Sequence, residues 1–212
     1  MDRTARPSIG KPVNPASLPM VRAQRVAPFA GLAALLLATG AQAVAFDQLQ
    51  VGQSAVSFAY RQMNVLLDGR FKRFNGRISF DPAKPALAQA EIDIELASID
   101  TGSEEGNDEV AGKLWFNTRQ FPVARFVSSS IKPLGKNRFE VTGKMSIKGR
   151  TRDVTTPATF RQEGNTGVFE GSFVLKRGDY GIGEGMWADY GTVANEVQIR
   201  FRLVAATAPA KK

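Results

Sequence analysis

The side chains that most often catalyse reactions are missing from this chain, because none of its 212 residues is a histidine or a cysteine. Histidine is the usual general base and the commonest metal ligand, and cysteine is the usual thiol nucleophile. Their absence excludes Ser-His and Cys-His pairs, and zinc sites built from these two residue types. The sequence therefore predicts no catalytic residues, no metal site and no cofactor, and it favours a protein that is not an enzyme.

Two segments still carry groups that could bind an ion. Residues 104–109 hold four carboxylates, but their spacing differs from that of a calcium-binding loop. Residues 178–185 are rich in glycine, but a phosphate-binding loop also needs a helix directly after it, and residues 186–189 show no helical pattern. We expect a solvated acidic loop and a loop at the rim of the fold.

A short basic cluster consists of Lys148, Arg150 and Arg152. It could attract a phosphate or an anionic lipid head, although charged residues at strand ends are usually just solvated. The chain has no longer block of Lys and Arg after its first 43 residues. Nucleic-acid surfaces combine a basic stripe with a recognition motif, so we expect no nucleic-acid partner.

The first 43 residues have the order of a secretory signal peptide. Arg22 and Arg25 precede a short apolar run over 29–37, and the small-x-small sequence Ala41-Gln42-Ala43 follows. The run is too short to span a bilayer, which needs about 20 apolar residues. We predict a signal peptide over 20–43, cleavage after Ala43 and a periplasmic protein. Residues 1–19 are expected to be a disordered or untranslated upstream extension.

After the leader, polar and apolar residues alternate with a period of two, which is typical of half-buried strands. Short turn sequences separate most of these segments, and short links imply antiparallel neighbours. Eight strands are predicted, at about 56–60, 69–80, 91–96, 125–131, 138–147, 153–161, 169–176 and 196–203.

Eight strands with one apolar face each close into either a sandwich or a barrel, and the long second strand favours a barrel. We predict an all-β, eight-stranded antiparallel barrel over residues 44–206, with a flexible tail over 207–212. A short helix near 107–115, capped by Asn107 and burying Leu114 and Trp115, is predicted in the 101–121 connection.

A barrel of this size is either filled by its own side chains or holds one small ligand, and the pattern alone leaves both open. Inward glycines at 76, 143 and 171 are expected to leave room beside the aromatic rings. The candidate ligand-binding residues are Phe58, Tyr60, Phe74, Phe80, Ile94, Trp115, Phe139, Met145, Phe173, Tyr180, Trp187 and Phe201.

Several segments, in order and spacing, resemble the YceI-like family over about 46–204. No single motif is decisive, but the set is specific. The segments are Gly69-Arg70-Phe71, Phe74-Asn75-Gly76, Phe80-Asp81, Ala97-Ser98-Ile99-Asp100-Thr101-Gly102, Phe116-Asn117, Phe121-Pro122-Val123-Ala124-Arg125-Phe126, Val141-Thr142-Gly143-Lys144-Met145-Ser146-Ile147-Lys148-Gly149 and Arg177-Gly178-Asp179-Tyr180-Gly181-Ile182.

The resemblance implies a lipocalin-like barrel in the periplasm that holds a long isoprenoid, an isoprenoid quinone or a similar amphiphile, without catalysis. Members of the family often carry histidines near the first strand and before the glycine at position 149. Here Gln53, Gln62 and Lys148 stand in those regions, so a head-group contact that depends on histidine is not expected.

Two other functions remain open at the level of the sequence. A small outer-membrane barrel shows the same alternation. However, its lumen could not comfortably hold the many charges on the polar faces, so stable membrane insertion is not expected. A ligand-free barrel that binds another protein is the second alternative, and a homodimer is also open.

Overall fold

A computed structural model describes residues 45–207. The predicted leader, its cleavage after Ala43 and residues 208–212 lie outside this range. The described chain is an antiparallel all-β fold with one α-helix, α1 (Glu104–Ala111), between the sixth and seventh strands. The strands are β1 (Phe46–Leu49), β2 (Ala55–Gln62), β3 (Val65–Phe71), β4 (Phe74–Ser79), β5 (Gln89–Glu95), β6 (Ile99–Asp100), β7 (Val123–Gly135), β8 (Arg138–Ile147), β9 (Arg150–Glu163), β10 (Thr166–Lys176) and β11 (Glu196–Thr207).

One sheet contains all of these strands, in the order β4-β5-β7-β8-β9-β10-β11-β2-β3-β6, and β1 pairs with β11 beside β2. The sheet curls back on itself through β1. Phe46 N donates to Phe80 O at 2.8 Å, and Phe80 N donates to Phe46 O at 3.2 Å, which joins β1 to the end of β4. β1 therefore lies between β11 and the end of β4, the first strand in this order.

The antiparallel all-β architecture is confirmed, but residues 45–207 contain eleven strand segments instead of the predicted eight. The predicted strand at 69–80 is divided into β3 and β4 by a break at Lys72 and Arg73, and it begins earlier, at Val65. β1 and β6 have only four and two residues, too few to show alternation in a sequence. Each of the other seven predicted segments coincides with one strand.

The helix occurs in the predicted connection but starts earlier, and its predicted cap is wrong. Ser103 caps α1, because its Oγ accepts a hydrogen bond from Gly106 N at 3.1 Å. Asn107 lies inside the helix, where its Oδ1 accepts from Thr101 N at 2.7 Å. Trp115 is buried as predicted, but Leu114 is 38% exposed. Both residues lie in the turns that follow α1 and not in the helix itself. No helix within residues 45–207 is long and apolar enough to span a membrane.

The inward faces of the strands form two apolar clusters, one toward each end of the curled sheet. The first is aromatic: the ring centroid of Phe80 lies 4.6 Å from that of Phe160 and 5.5 Å from that of Phe139. The second surrounds Leu96, Trp115 and Met145. Ion pairs such as those of Arg73 with Glu95, Lys144 with Asp153 and Arg161 with Glu163 lie among exposed side chains.

Candidate functional site

A cavity of about 540 Å³ lies inside the curled sheet, within the second apolar cluster. Inward-facing residues of eight strands form most of its wall, and α1, the residues that flank it and the segment after β10 contribute most of the rest. Its apolar lining includes Phe58, Tyr60, Leu67, Phe71, Ile94, Val110, Trp115, Phe116, Met145, Ile147, Phe173, Leu175, Trp187 and Ile199. The wall therefore offers a ligand contact surface that is mostly hydrocarbon.

A second cavity of about 120 Å³ lies toward the aromatic cluster, and the surface that it exposes is apolar. Phe80, Phe139 and Phe169 belong to its wall. The two cavities share five lining residues, which places them end to end along the interior. The shared residues are Val56, Ile94, Met145, Phe173 and Ile199.

Polar residues mark where the larger cavity meets solvent. Ser103, Glu105 and Glu109 line it although they are exposed, and they lie at or on α1. Gln62, at the end of β2, is a further polar residue of the wall. The exposed lining residues show that the cavity opens beside α1, and its mouth carries carboxylates.

Arg177 forms a different part of the wall, directly after β10. Its side chain is buried, with the residue only 2% exposed. The guanidinium donates to backbone carbonyls of the following loop, among them Ile182 O at 2.8 Å, Trp187 O at 2.7 Å and Val193 O at 2.8 Å. Burial lowers the pKa of Arg177, although Tyr190 and Asp189 oppose this shift. The loop over 178–195 is thus tied to the cavity wall by one buried cation.

Two tryptophans lie beside this cation, and they are the only two in the chain. The ring centroids of Trp115 and Trp187 are 5.5 Å apart, and the guanidinium carbon of Arg177 lies 5.3 Å from the Trp115 ring. Both indole N–H groups are buried, and within the described chain neither has a hydrogen-bond acceptor. Most buried donors in proteins are paired, so this corner of the cavity is unusual.

The loop after β10 also buries Tyr180, which is 2% exposed. Burial raises the pKa of Tyr180 to about 12, and the nearby charge of Asp179 acts in the same direction. On the outer side of the same loop, Lys148 Nζ donates to Gly181 O at 2.6 Å and to Glu184 at 3.0 Å. Two members of the basic cluster, Lys148 and Arg150, thus hold the loop through Glu184.

The structure brings ten of the twelve candidate residues to a cavity wall. Phe74 and Tyr180 line neither cavity: Phe74 packs in the first cluster just after the break between β3 and β4, and Tyr180 packs in the second. The larger cavity is lined by Phe58, Tyr60, Ile94, Trp115, Met145, Phe173 and Trp187, and the smaller one by Phe80, Ile94, Phe139, Met145, Phe173 and Phe201.

The expectation that inward glycines open the interior is wrong. A Cβ at Gly143 would lie 2.5 Å from the Phe126 ring, and one at Gly171 would lie 2.4 Å from the Phe201 ring. The neighbouring rings already occupy the space that these glycines leave. Gly76, Gly143 and Gly171 line neither cavity.

Sequence reasoning missed Arg177 and the carboxylates at the mouth, Glu105 and Glu109. Arg177 was only one residue of a motif, and nothing in its neighbours shows that its donors are spent on carbonyls 5 to 17 positions away. The spacing of the carboxylates predicts a solvated loop; they are exposed, but they lie on α1. Their spacing does not show that this helix borders the cavity.

Residues 48–205 match the YceI-like domain family. The chain belongs to this family. A UPF0312 protein of Azotobacter vinelandii is 33% identical to it over 178 residues, which cover 79% of this chain and 90% of the relative.

Solved structures of other proteins share the YceI-like fold. Burkholderia cenocepacia BcnA is 46% identical, with a TM-score of 0.73, and the match covers 75% of this chain and all of BcnA. A domain from Saccharophagus degradans, described as a polyisoprenoid binding domain, is 18% identical, with a TM-score of 0.62 over 78% of this chain and 99% of that one. At 18% identity the second likeness shows the fold alone.

Proposed function

We propose that this protein binds a long apolar lipid inside its curled sheet and carries it without catalysing a reaction. The observation that carries this proposal is the pair of apolar cavities that lie end to end and share five residues. A compact ligand would need only the larger cavity. A narrow apolar extension behind it suits a ligand with a long chain.

The physics of burial supports tight binding without many polar contacts. Each methylene removed from water contributes about 0.8 kcal/mol, so a chain that fills both cavities gains many times this amount. The polyisoprenoid-binding neighbour has the same fold, which supports an isoprenoid, an isoprenoid quinone or a similar amphiphile as the ligand. The secretory leader predicted over 20–43 supports a periplasmic carrier.

The outer surface argues against a small outer-membrane barrel. A lipid-facing surface is apolar, with girdles of aromatic residues. Here the largest apolar side chains face inward, and charged pairs such as those of Arg73 with Glu95 and Lys144 with Asp153 lie outside. The charged outer face and apolar inner face fit a carrier that encloses its lipid.

Native mass spectrometry tests the proposal directly. We expect the protein purified from cells to carry the added mass of a lipid, and the delipidated protein to take up a long-chain lipid added in detergent. Met145→Trp should reduce this uptake at least about tenfold, because Met145 lies where both cavities meet and a larger side chain fills that space.

The matched control is Val174→Trp, which adds the same ring to the outward face of β10, where Val174 is 52% exposed. This variant should take up lipid like the unaltered protein. A protein that neither carries lipid from cells nor binds any added long-chain lipid would overturn the carrier function. It would leave a ligand-free barrel that binds another protein.

A further inference from the structure

The buried corner formed by Arg177, Trp115 and Trp187 has chemistry that the apolar tail of a lipid does not use. The corner lines the larger cavity, whereas the smaller cavity exposes only apolar surface. A purely hydrocarbon ligand gains nothing from a cation and two indole N–H groups in its wall. Burying a cation and two N–H donors costs free energy, so a ligand that interacts with them must carry a polar group.

The charge of Arg177 has no close acidic partner. Its hydrogen bonds all go to backbone carbonyls, and within residues 45–207 no carboxylate forms an ion pair with it. Asp189 is near enough to favour the charged form of Arg177, but it accepts a hydrogen bond from Arg177 only through its main-chain oxygen, at 3.4 Å. The wall at this corner is therefore electropositive.

The mouth of the cavity has the opposite character, since Glu105 and Glu109 line it. An amphiphile with an electron-rich oxygen is repelled at the mouth and attracted at the Arg177 corner. The electrostatic potential therefore differs between the two parts of the cavity, negative at the mouth and positive at the corner. It favours an electron-rich oxygen beside Arg177 over the same oxygen between the carboxylates.

The two indoles supply the hydrogen-bond donors that Arg177 cannot, because the guanidinium donors are already spent on carbonyls. Trp115 and Trp187 lie ring against ring beside the cation, and each has an N–H without an acceptor. The two nitrogens are covered in this structure, so a ligand oxygen reaches them only when the indoles turn toward the cavity. A buried unpaired donor is costly, and an incoming acceptor removes that cost.

We propose that Trp115, Trp187 and Arg177 form a head-group site, and that the ligand carries an electron-rich acceptor oxygen, of the carbonyl or carboxyl class, which lies at this corner. This assignment rests on the proposed lipid-carrier function, and it adds the chemistry of the head group. In this arrangement the tail extends toward the aromatic cluster, and the indole N–H groups donate to the oxygen.

The test compares ligands that differ only in the acceptor. A straight-chain methyl ketone, the fatty acid and the alkane of equal length compete with a naphthylamine dye for the delipidated full-length protein. We expect the ketone and the acid to bind about tenfold more tightly than the alkane, as one buried hydrogen bond allows. Because the chain has only two tryptophans, ketone binding should also shift the emission of both site residues, and the alkane should not.

Trp115→Phe and Trp187→Phe each remove an N–H and keep an aromatic ring. Each should lower the ratio of ketone to alkane affinity at least about threefold. Phe139→Leu is the control, since Phe139 lies in the smaller cavity and should change both affinities in the same proportion.

Equal affinity for ketone and alkane in the unaltered protein would overturn the head-group site while leaving the carrier function intact. A preference for the ketone that survives in both tryptophan variants would also overturn it, because the acceptor would then bind elsewhere. If none of the three compounds displaces the dye, the carrier function fails as well.

Discussion

The ring of Phe126 on β7 lies over the backbone of Gly143 on β8, so close that a Cβ at position 143 would be 2.5 Å from two ring atoms. The carbonyl oxygen of Val127 is equally near, and main chain cannot move aside as a flexible side chain can. Gly143 is thus required by the packing of its neighbour, and it does not widen the cavity.

Replacing Gly143 by alanine should destabilise the fold by about 1–3 kcal/mol, because the added methyl group forces the Phe126 ring and a strand to shift. Urea unfolding followed by circular dichroism measures this loss. Gly52→Ala is the matched control, since no atom lies within 4 Å of a Cβ built at Gly52. A Gly143→Ala variant as stable as Gly52→Ala would contradict the close packing described here.

Arg177→Met should destabilise the protein by at least about 2 kcal/mol and loosen the loop over 178–195. Methionine fills much of the same volume but leaves the carbonyls of Ile182, Trp187 and Val193 without their donor. Thermal unfolding and limited proteolysis of the loop check this. Lys176→Ala, the exposed neighbouring position, should change stability by no more than about 0.5 kcal/mol. Equal protease resistance in the two variants would show that Arg177 does not hold the loop.

The sequence predicted the parts of this fold that repeat with a period of two. The segments around Phe58, Met145 and Phe173 were assigned to strands with the correct face inward, because alternation depends on local geometry alone. The break between β3 and β4 was not predicted, although the alternation changes phase there: Phe71 and Phe74 both face inward but are three positions apart, which an unbroken strand with a period of two does not allow.

The site was harder to predict than the sheet. Alternation identifies an inward side chain, but it does not show whether that side chain borders a cavity or packs against a neighbour, as Phe74 does. Arg177 is the clearest case. Its burial depends on a loop that folds back over it, and a charged residue after a strand normally indicates the surface.

Tyr180 should make the protein less stable at alkaline pH. Its pKa is raised to about 12 by burial, whereas an unfolded tyrosine titrates near 10. Between these values the unfolded chain binds fewer protons than the folded one, so stability falls as pH rises, by up to about 1.4 kcal/mol per pH unit from this group. Below about pH 10 the group contributes no such slope.

Urea unfolding at a series of pH values from neutral to alkaline measures this slope, and Tyr180→Phe removes the titrating group. We expect the variant to lose less stability on alkaline titration. Some slope remains, because burial also raises the pKa of Tyr60. Identical alkaline slopes in the two proteins would mean that Tyr180 is not protected from solvent.

The length of the lipid that the protein accepts should depend on the smaller cavity. Ala158 is buried and lines this cavity, so Ala158→Phe places a ring in a space of about 120 Å³. Lipids short enough to fit in the larger cavity should bind the variant as before, and longer ones should lose affinity, because each methylene kept in water forfeits about 0.8 kcal/mol.

Thr159→Phe, on the exposed face of β9, is the control and should accept all lengths. The prediction is tested by dissociation constants for a series of fatty acids of increasing length. They are measured for both variants at matched thermal stability. A uniform loss at every length would indicate that the ligand does not extend into the smaller cavity.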